Sequence, residues 1–308
     1  MSKKVGFVGL GQMGRWMALN VLKSGFDLTV FDIDPGAMQF LAGQGAGLAT
    51  GPAELAGRVD IVLLSLPSTA VVEEVIFGEG GLVYGARPGL AIVDCGTSSY
   101  GPTVDFSRRL AGRGIRYADA PVSGMEARAK EGTLTVMFGG EEDLFEAVLP
   151  VLDAFGDKVL HMGALGSGQL TKLTNQLLFN ISCASIAEVL PMAAKLGLDP
   201  GKVLQVVTTG TGRSFAAEFF GPRILEGRFD EGYPLKNAYK DMISAAEICA
   251  YEQIPLPLVH AATTTYQMAL ADGYGDEDKG AMIKVFERLL GVRFRRQQST
   301  GGADSTDD

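Results

Sequence analysis

Lys172 opens a stretch, Gln169 to about Leu196, whose apolar spacing predicts one long helix. By the i, i+3, i+4, i+7 rule, positions 172, 175, 176 and 179 share a face of that helix, while Leu170, Leu173, Leu177 and Ile181 point elsewhere. An amine and two carboxamides, from Lys172, Asn175 and Gln176, therefore converge on one surface. The ordinary alternative is a solvated lysine, because most lysines are surface charges. The functional reading is favoured by the glycine-rich GALGSG entry, by the change of pattern at this point and by the two amides. Such a lysine can carry a proton to or from a substrate oxygen, or neutralise charge that develops there. Lysine's usual pKa of about 10.4 is high for a base at neutral pH, and burial or a second cation such as Lys240 lowers it. Histidine offers less: His161 falls in the strand-like KVLHMG and His260 in an apolar helical context, and both read as structural.

A second constellation is Gly9-Leu10-Gly11-Gln12-Met13-Gly14, a GxGxxG. VGFV precedes it, the helical RWMALNVLKSG follows, and Asp32 ends the next strand candidate, 18 residues beyond Gly14. Strand, tight turn, helix and acidic residue together make a dinucleotide fingerprint. Gly9 allows the turn, Gly11 lets a pyrophosphate approach the backbone, and Gly14 permits close packing. Asp32 would accept from ribose hydroxyls and repel a 2′-phosphate, which favours NAD over NADP; a plain turn residue in DIDPG is the alternative. Leu66, Pro67 and Thr97, at the carboxyl ends of later strand candidates, are expected to touch the cofactor. Ser123-Gly124 follows GIRYADAP and offers a hydroxyl and two backbone N–H groups to a carboxylate, or else is a common turn pair. Lys240-Asp241, one turn after Lys236, reads equally as a solvated pair and as a functional lysine.

The elements that must position these groups come in two kinds. VGFV (5–8), LTVFD (28–32), DIVLLSL (60–66) and LAIVDCG (90–96) alternate with helix-compatible segments, which predicts a parallel, doubly wound α/β sheet. GIRYADAP (114–121), TLTVMFGG (133–140) and KVLHMG (158–163) are further strand candidates. From Gln169 to about Arg293 the pattern is helical, with Pro191 as a possible kink and Asp199-Pro200 as a helix start. The expected domains are 1–164, a Rossmann-type unit, and 165–296, an all-helical unit entered by the long helix. The polar tail 297–308 is expected to be disordered.

Composition narrows the function classes. A formal charge of −9 gives no attraction to nucleic acid or anionic membranes, and neither is expected as a partner. Cys95, Cys183 and Cys249 lack metal-ligand spacing and do not make a disulfide framework, so no metal and a cytoplasmic location are expected. No stretch approaches about 18 uninterrupted apolar residues. Phe215, Phe219 and Phe220, close to Arg213, suggest a helical interface and a homodimer or homotetramer.

GLGQMGRWMALNVLKSG, DAPVSGMEARAKEGTLTVMFGG, GALGSGQLTKLTNQ and KDMISA, in that order, resemble the signature segments of the β-hydroxyacid dehydrogenases, the 3-hydroxyisobutyrate dehydrogenase family. The resemblance spans residues 5 to about 293. It implies hydride transfer between NAD and a small 3-hydroxy acid or its semialdehyde, with NADP less favoured. It also implies Lys172 as the catalytic residue, Ser123 and Gly124 as the carboxylate-binding pair, and Asn175, Gln176 and Lys240 lining the same site, Lys240 beside the cofactor as well. Met125 stands where many members have a second glycine, and Gln176 where some have asparagine. An imine reductase, a phosphogluconate-type decarboxylating dehydrogenase and a non-catalytic dinucleotide-binding scaffold are the alternatives.

Overall fold

The short apolar runs do become strands, and their alternation with helices builds a sheet covered on both faces. A computed structural model describes residues 3–296, so the expected tail, 297–308, lies outside the described residues. The strands are β1 (Lys4–Val8), β2 (Asp27–Phe31), β3 (Gly47–Leu48), β4 (Ile61–Leu64), β5 (Ala91–Asp94), β6 (Arg116–Asp119), β7 (Val122–Ser123), β8 (Leu134–Gly139) and β9 (Gly156–Gly163). Their order is β3-β2-β1-β4-β5-β6-β8-β7, with β9 on β8. Alternate residues supply two cores, as the twofold strand period requires. Phe7, Leu63 and Val93 belong to one, and Val8, Val62, Leu64 and Ile92 to the other. Strands buried on both faces read as continuous apolar runs, which is how IVLL and AIVD look.

The four runs that predict a parallel sheet do pair in parallel, and the direction changes only beyond β6. β1 to β6 pair in parallel, but β8 runs antiparallel to both β6 and β7, and β9 then runs parallel to β8. The cause is the short connection after β7, which holds only the helix Met125–Glu131 and returns the chain beside its own start, as an antiparallel pair allows. β3 and β7, two residues each, are too short to leave a pattern in the sequence.

The chain divides into two compact units, one ending at Lys172 and the other beginning at Leu173. That division falls inside the helix Ser167–Lys195, whereas the sequence placed it before the helix, at 164/165. The second unit is all-helical, with helices Pro200–Thr209, Phe215–Glu226, Leu235–Glu252, Pro257–Ala271 and Ile283–Leu290 around Phe220, Ile224, Tyr266, Met282 and Phe294. Asp199 caps the first of these by accepting from the Lys202 N–H at 2.9 Å, with Pro200 behind it, as expected. Among the described residues, Ser167–Lys195 is the one helix long and apolar enough, by length and composition alone, to cross a membrane. Its Cys183, Ile186, Ala187 and Leu190 are part of the second unit's core. Reading uninterrupted runs does not reveal this helix, because Thr174, Asn175, Gln176 and Asn180 break the run while the average stays apolar.

Candidate active site

The sheet order reverses between β1 and β4, the place where open α/β sheets hold ligands at the carboxyl ends of their strands. The GxGxxG loop leaves β1 at that point. Gly9 has φ +94°, and a Cβ there would lie 2.3 Å from the Ser65 carbonyl oxygen. A Cβ on Gly14 would lie 1.9 Å from the Gly9 oxygen, so the protein's own backbone dictates both glycines. A Cβ on Gly11 would meet nothing within 4 Å. Gly11 thus faces open space in front of the helix Gly14–Lys23, the approach a pyrophosphate needs, and the loop fits that group. Asp32, just past β2, accepts from the Leu10 N–H at 2.5 Å and the Asp34 N–H at 2.7 Å. Each carboxylate oxygen carries a further lone pair that can accept from a ribose hydroxyl. Half-buried Leu66 and exposed Pro67 follow β4, and half-buried Thr97 follows β5, on the same edge of the sheet.

Ser123 ends β7, opposite Thr135 of β8. The chain then turns through Gly124 (φ +144°) and Met125 (φ +60°) into the helix Met125–Glu131. A Cβ on Gly124 would press to 2.9 Å on Arg128 and Leu134, so glycine is required there for space as well as for conformation. Met125 has no such exemption, since a non-glycine residue in the left-handed region costs about 1–2 kcal/mol. Glu126 accepts from Gln12 Nε2 at 2.9 Å and from Trp16 Nε1 at 3.1 Å, and pairs with Lys130 at 2.8 Å. Those contacts, Lys130 first, hold its carboxyl down at about 2.

The first turn of the long helix is fastened to the sheet by groups that sequence reasoning missed. Asp119, the last residue of β6, accepts from the Gly166 N–H at 2.6 Å and the Gln169 N–H at 2.7 Å. Burial pushes its carboxyl up to about 6 in spite of these bonds. The buried Gln169 side chain accepts from Ser98 N–H at 3.0 Å and donates to the Gly96 carbonyl at 2.9 Å, spanning Thr97. Asp94 in turn accepts from the Gly96 N–H at 2.8 Å and the Ser98 hydroxyl at 2.7 Å. A Cβ on Gly168 would lie 2.1 Å from the Met137 carbonyl oxygen, which explains the last glycine of GALGSG. Lys172 comes one turn after Gln169 and is 9% exposed. The available signal was a carboxylate at the end of each of two buried strands, in DCG and DAP.

In the second unit, Leu173, Leu177 and Ile181 pack on Met242 and Val259, so the apolar side of the helix lies where its spacing placed it. Asn175 is exposed. Gln176 is half-buried and donates to the buried Asp241 at 3.0 Å, which joins the long helix to the helix carrying Lys240. Lys240 itself is half-buried. One further turn along, Asn180 accepts from the buried Lys279 ammonium at 2.7 Å, and burial pulls Lys279 below the ordinary lysine range. No group of three or more His, Cys, Asp or Glu that could hold a metal ion occurs among the described residues.

Residues 4–163 match the family model described as the NAD binding domain of 6-phosphogluconate dehydrogenase. Residues 166–286 match that described as the NAD-binding domain of NADP-dependent 3-hydroxyisobutyrate dehydrogenase. The chain is 37% identical to a 2-(hydroxymethyl)glutarate dehydrogenase of Eubacterium barkeri, over 94% of this chain and 97% of that one. It is 34% identical to an L-threonate dehydrogenase of Cupriavidus necator, over 93% and 97%. Among solved structures, a 3-hydroxyisobutyrate dehydrogenase from Salmonella typhimurium superposes with a TM-score of 0.85 at 32% identity, covering 92% of this chain and all of that one.

Proposed function

Because the chain belongs to the 3-hydroxyisobutyrate dehydrogenase family of NAD(P)-dependent hydroxyacid oxidoreductases, we propose that it interconverts a small 3-hydroxy acid and its semialdehyde, prefers NAD, and uses Lys172 as general acid and base. The observation that carries this is a buried lysine one turn beyond Gln169, whose side chain is bonded to the loop at the carboxyl end of β5. The substrates in the relatives' names share one chemistry that supports the reading. 2-(Hydroxymethyl)glutarate, L-threonate and 3-hydroxyisobutyrate each bear a hydroxyl on the carbon β to a carboxylate.

Nicotinamide, when bound, supplies the hydride acceptor or donor. In oxidation the neutral Lys172 amine takes the hydroxyl proton as the C–H bond gives up its hydride, and in reduction the ammonium returns that proton to the forming alkoxide. The Ser123 hydroxyl and the backbone N–H groups after it hold the carboxylate. Asn175 orients the substrate, and Asp32 sets the preference for NAD. Gln176, bonded to Asp241, serves by fixing the helix that carries Lys240.

The proposal includes self-assembly as a homodimer or homotetramer. Leu178, Val189, Met192 and Leu196, each at least half exposed, form a stripe along the long helix, and an apolar stripe of this kind marks an association surface. The first experiment is an absorbance assay at 340 nm with a panel of 3-hydroxy acids under NAD and NADP. Turnover of at least one acid, faster with NAD, is expected; silence across the panel sinks the reading.

A further inference from the structure

Glu126 lies one residue beyond the turn that would grip a substrate carboxylate, yet its side chain is bonded to the dinucleotide loop. Its Oε2 accepts from Gln12, the residue between Gly11 and Met13, and its Oε1 from the Trp16 indole on the helix that the loop opens. Lys130 pairs with Oε1 at 2.8 Å, and its ammonium stands 4.8 Å from the centre of the Trp16 ring. All of these groups belong to the first unit. We propose that Glu126 is a positioning residue that couples occupancy of the GxGxxG loop to the grip of the Ser123–Gly124 turn on the substrate carboxylate, a step that rests on the function proposed above.

The argument starts from Met125. A methionine at φ +60° persists only where its surroundings over-determine the backbone. On one side the surroundings are β7, pinned by Ser123 opposite Thr135. On the other they are Glu126, tied to two side chains of the loop-and-helix unit. Releasing Glu126 frees Met125 to leave the left-handed region, and Gly124 and the Ser123 hydroxyl lose their setting. A ligand that orders the loop orders Gln12 as well, and the bond to Glu126 passes that order to the turn. By linkage the effect is reciprocal, so a carboxylate held at the turn tightens the dinucleotide. Lys130 completes the device: it balances the Glu126 charge, which would otherwise oppose an incoming pyrophosphate. The ion pair is partly exposed and adds little stability by itself, so its worth lies in geometry.

The test compares Glu126→Ala, Glu126→Gln and the double variant Met125→Gly/Glu126→Ala with the unaltered enzyme. Readouts are KM and kcat on the acid found by the panel, and the Kd of that acid with and without bound NADH, a complex that cannot react. Trp16, the chain's sole tryptophan, gives a fluorescence signal from the contact itself. Glu126→Ala should raise KM about tenfold, with kcat within about twofold. Tenfold corresponds to about 1.4 kcal/mol, the scale of the left-handed cost at a non-glycine residue. The same variant should shift Trp16 emission in the free protein and bring the ratio of the two Kd values close to one. Glu126→Gln keeps one oxygen to accept from Trp16 Nε1, and its NH2 can donate to the Gln12 amide once that amide flips to present its oxygen, so both contacts survive and KM and the ratio should be retained. Met125→Gly added to Glu126→Ala should restore KM, because glycine takes the turn unaided, but not the ratio, because the link to the loop is still missing. Unchanged KM and ratio in an active Glu126→Ala enzyme would overturn the coupling alone. A Glu126→Ala protein whose melting temperature, NAD affinity and kcat all collapse together would also overturn it, in favour of a merely structural role. Absence of turnover in the unaltered enzyme would overturn the functional reading, and the coupling with it.

Discussion

Asp119 accepts the backbone N–H of Gln169 at 2.7 Å, so the last residue of β6 caps the helix that carries Lys172. Burial holds this carboxyl at about 6, above the ordinary 3.8. Between those values the native state binds a proton that the unfolded chain has released. The stabilisation from protonated Asp119 is therefore complete below about pH 4 and is lost as pH rises through about 6. The loss is at most about 1.4 kcal/mol per pH unit within that window. Urea unfolding of the wild type and of Asp119→Asn from pH 4 to 7 measures it: the stability difference, wild type minus variant, should fall across the window and level off above it. Parallel curves would refute the assignment.

Lys172→Ala should lower kcat by about 100-fold to 10,000-fold, the usual contribution of a proton-transfer group, and leave NAD affinity unchanged. Lys172→Arg should not rescue, because guanidinium stays protonated. Asn175→Ala should cost less, since an amide orients but carries no proton. Retention of more than about a tenth of wild-type kcat by Lys172→Ala, outside the range for such groups, would move the search for the proton to Lys240.

Gly11 and Gly14 of the loop should separate into two phenotypes. Gly11→Val puts a side chain into open space and should yield a folded protein that no longer takes up NAD in a fluorescence titration. Gly14→Ala drives a Cβ to 1.9 Å from the Gly9 oxygen and should lower the melting temperature by several degrees, whatever the ligand. Identical behaviour of the two would contradict the geometry.

Asp32→Ala should weaken NAD and narrow its advantage over NADP, because the ribose acceptor is lost and a 2′-phosphate is no longer repelled. The ratio of kcat/KM for the two cofactors is the measurement. Since Asp32 also holds the Leu10 N–H, some loss of affinity for both cofactors is expected beside the change in ratio. An unaltered ratio would leave Asp32 with the loop bond alone.

What was legible in the sequence shares a feature: its constraints are local. The strands of the parallel portion are apolar runs bounded by turns, and the glycines of the loop answer to atoms within one βα unit and its neighbour. β8 was found as a strand but not as an antiparallel one, since direction depends on the return of the chain through Met125–Glu131 rather than on hydropathy. The face bearing Lys172 and Gln176 followed from helical period. That Gln176 is bonded to Asp241 did not, because its partner is 65 residues away. Gln169 and Ser98 are 71 residues apart, and Asp119 and Gly166 are 47 apart. A carboxylate at a strand end names a good acceptor, but only the folded chain names its donor.

The capping of the long helix by Asp119 limits how the two units can be separated or recombined. A truncation at 164, where the sequence places the boundary, would discard the N–H groups of Gly166 and Gln169 and the Gln169 side chain. Asp119 would then be a carboxylate at the end of its strand without its two donors, and the Gly96–Ser98 loop would lose its clasp. A chimera that joins this sheet to a relative's helical half keeps this chain's own Gly166 and Gln169 in those bonds when the splice lies after Gln169, within the helix. The opening turns of the helix are, in that sense, inherited with the sheet.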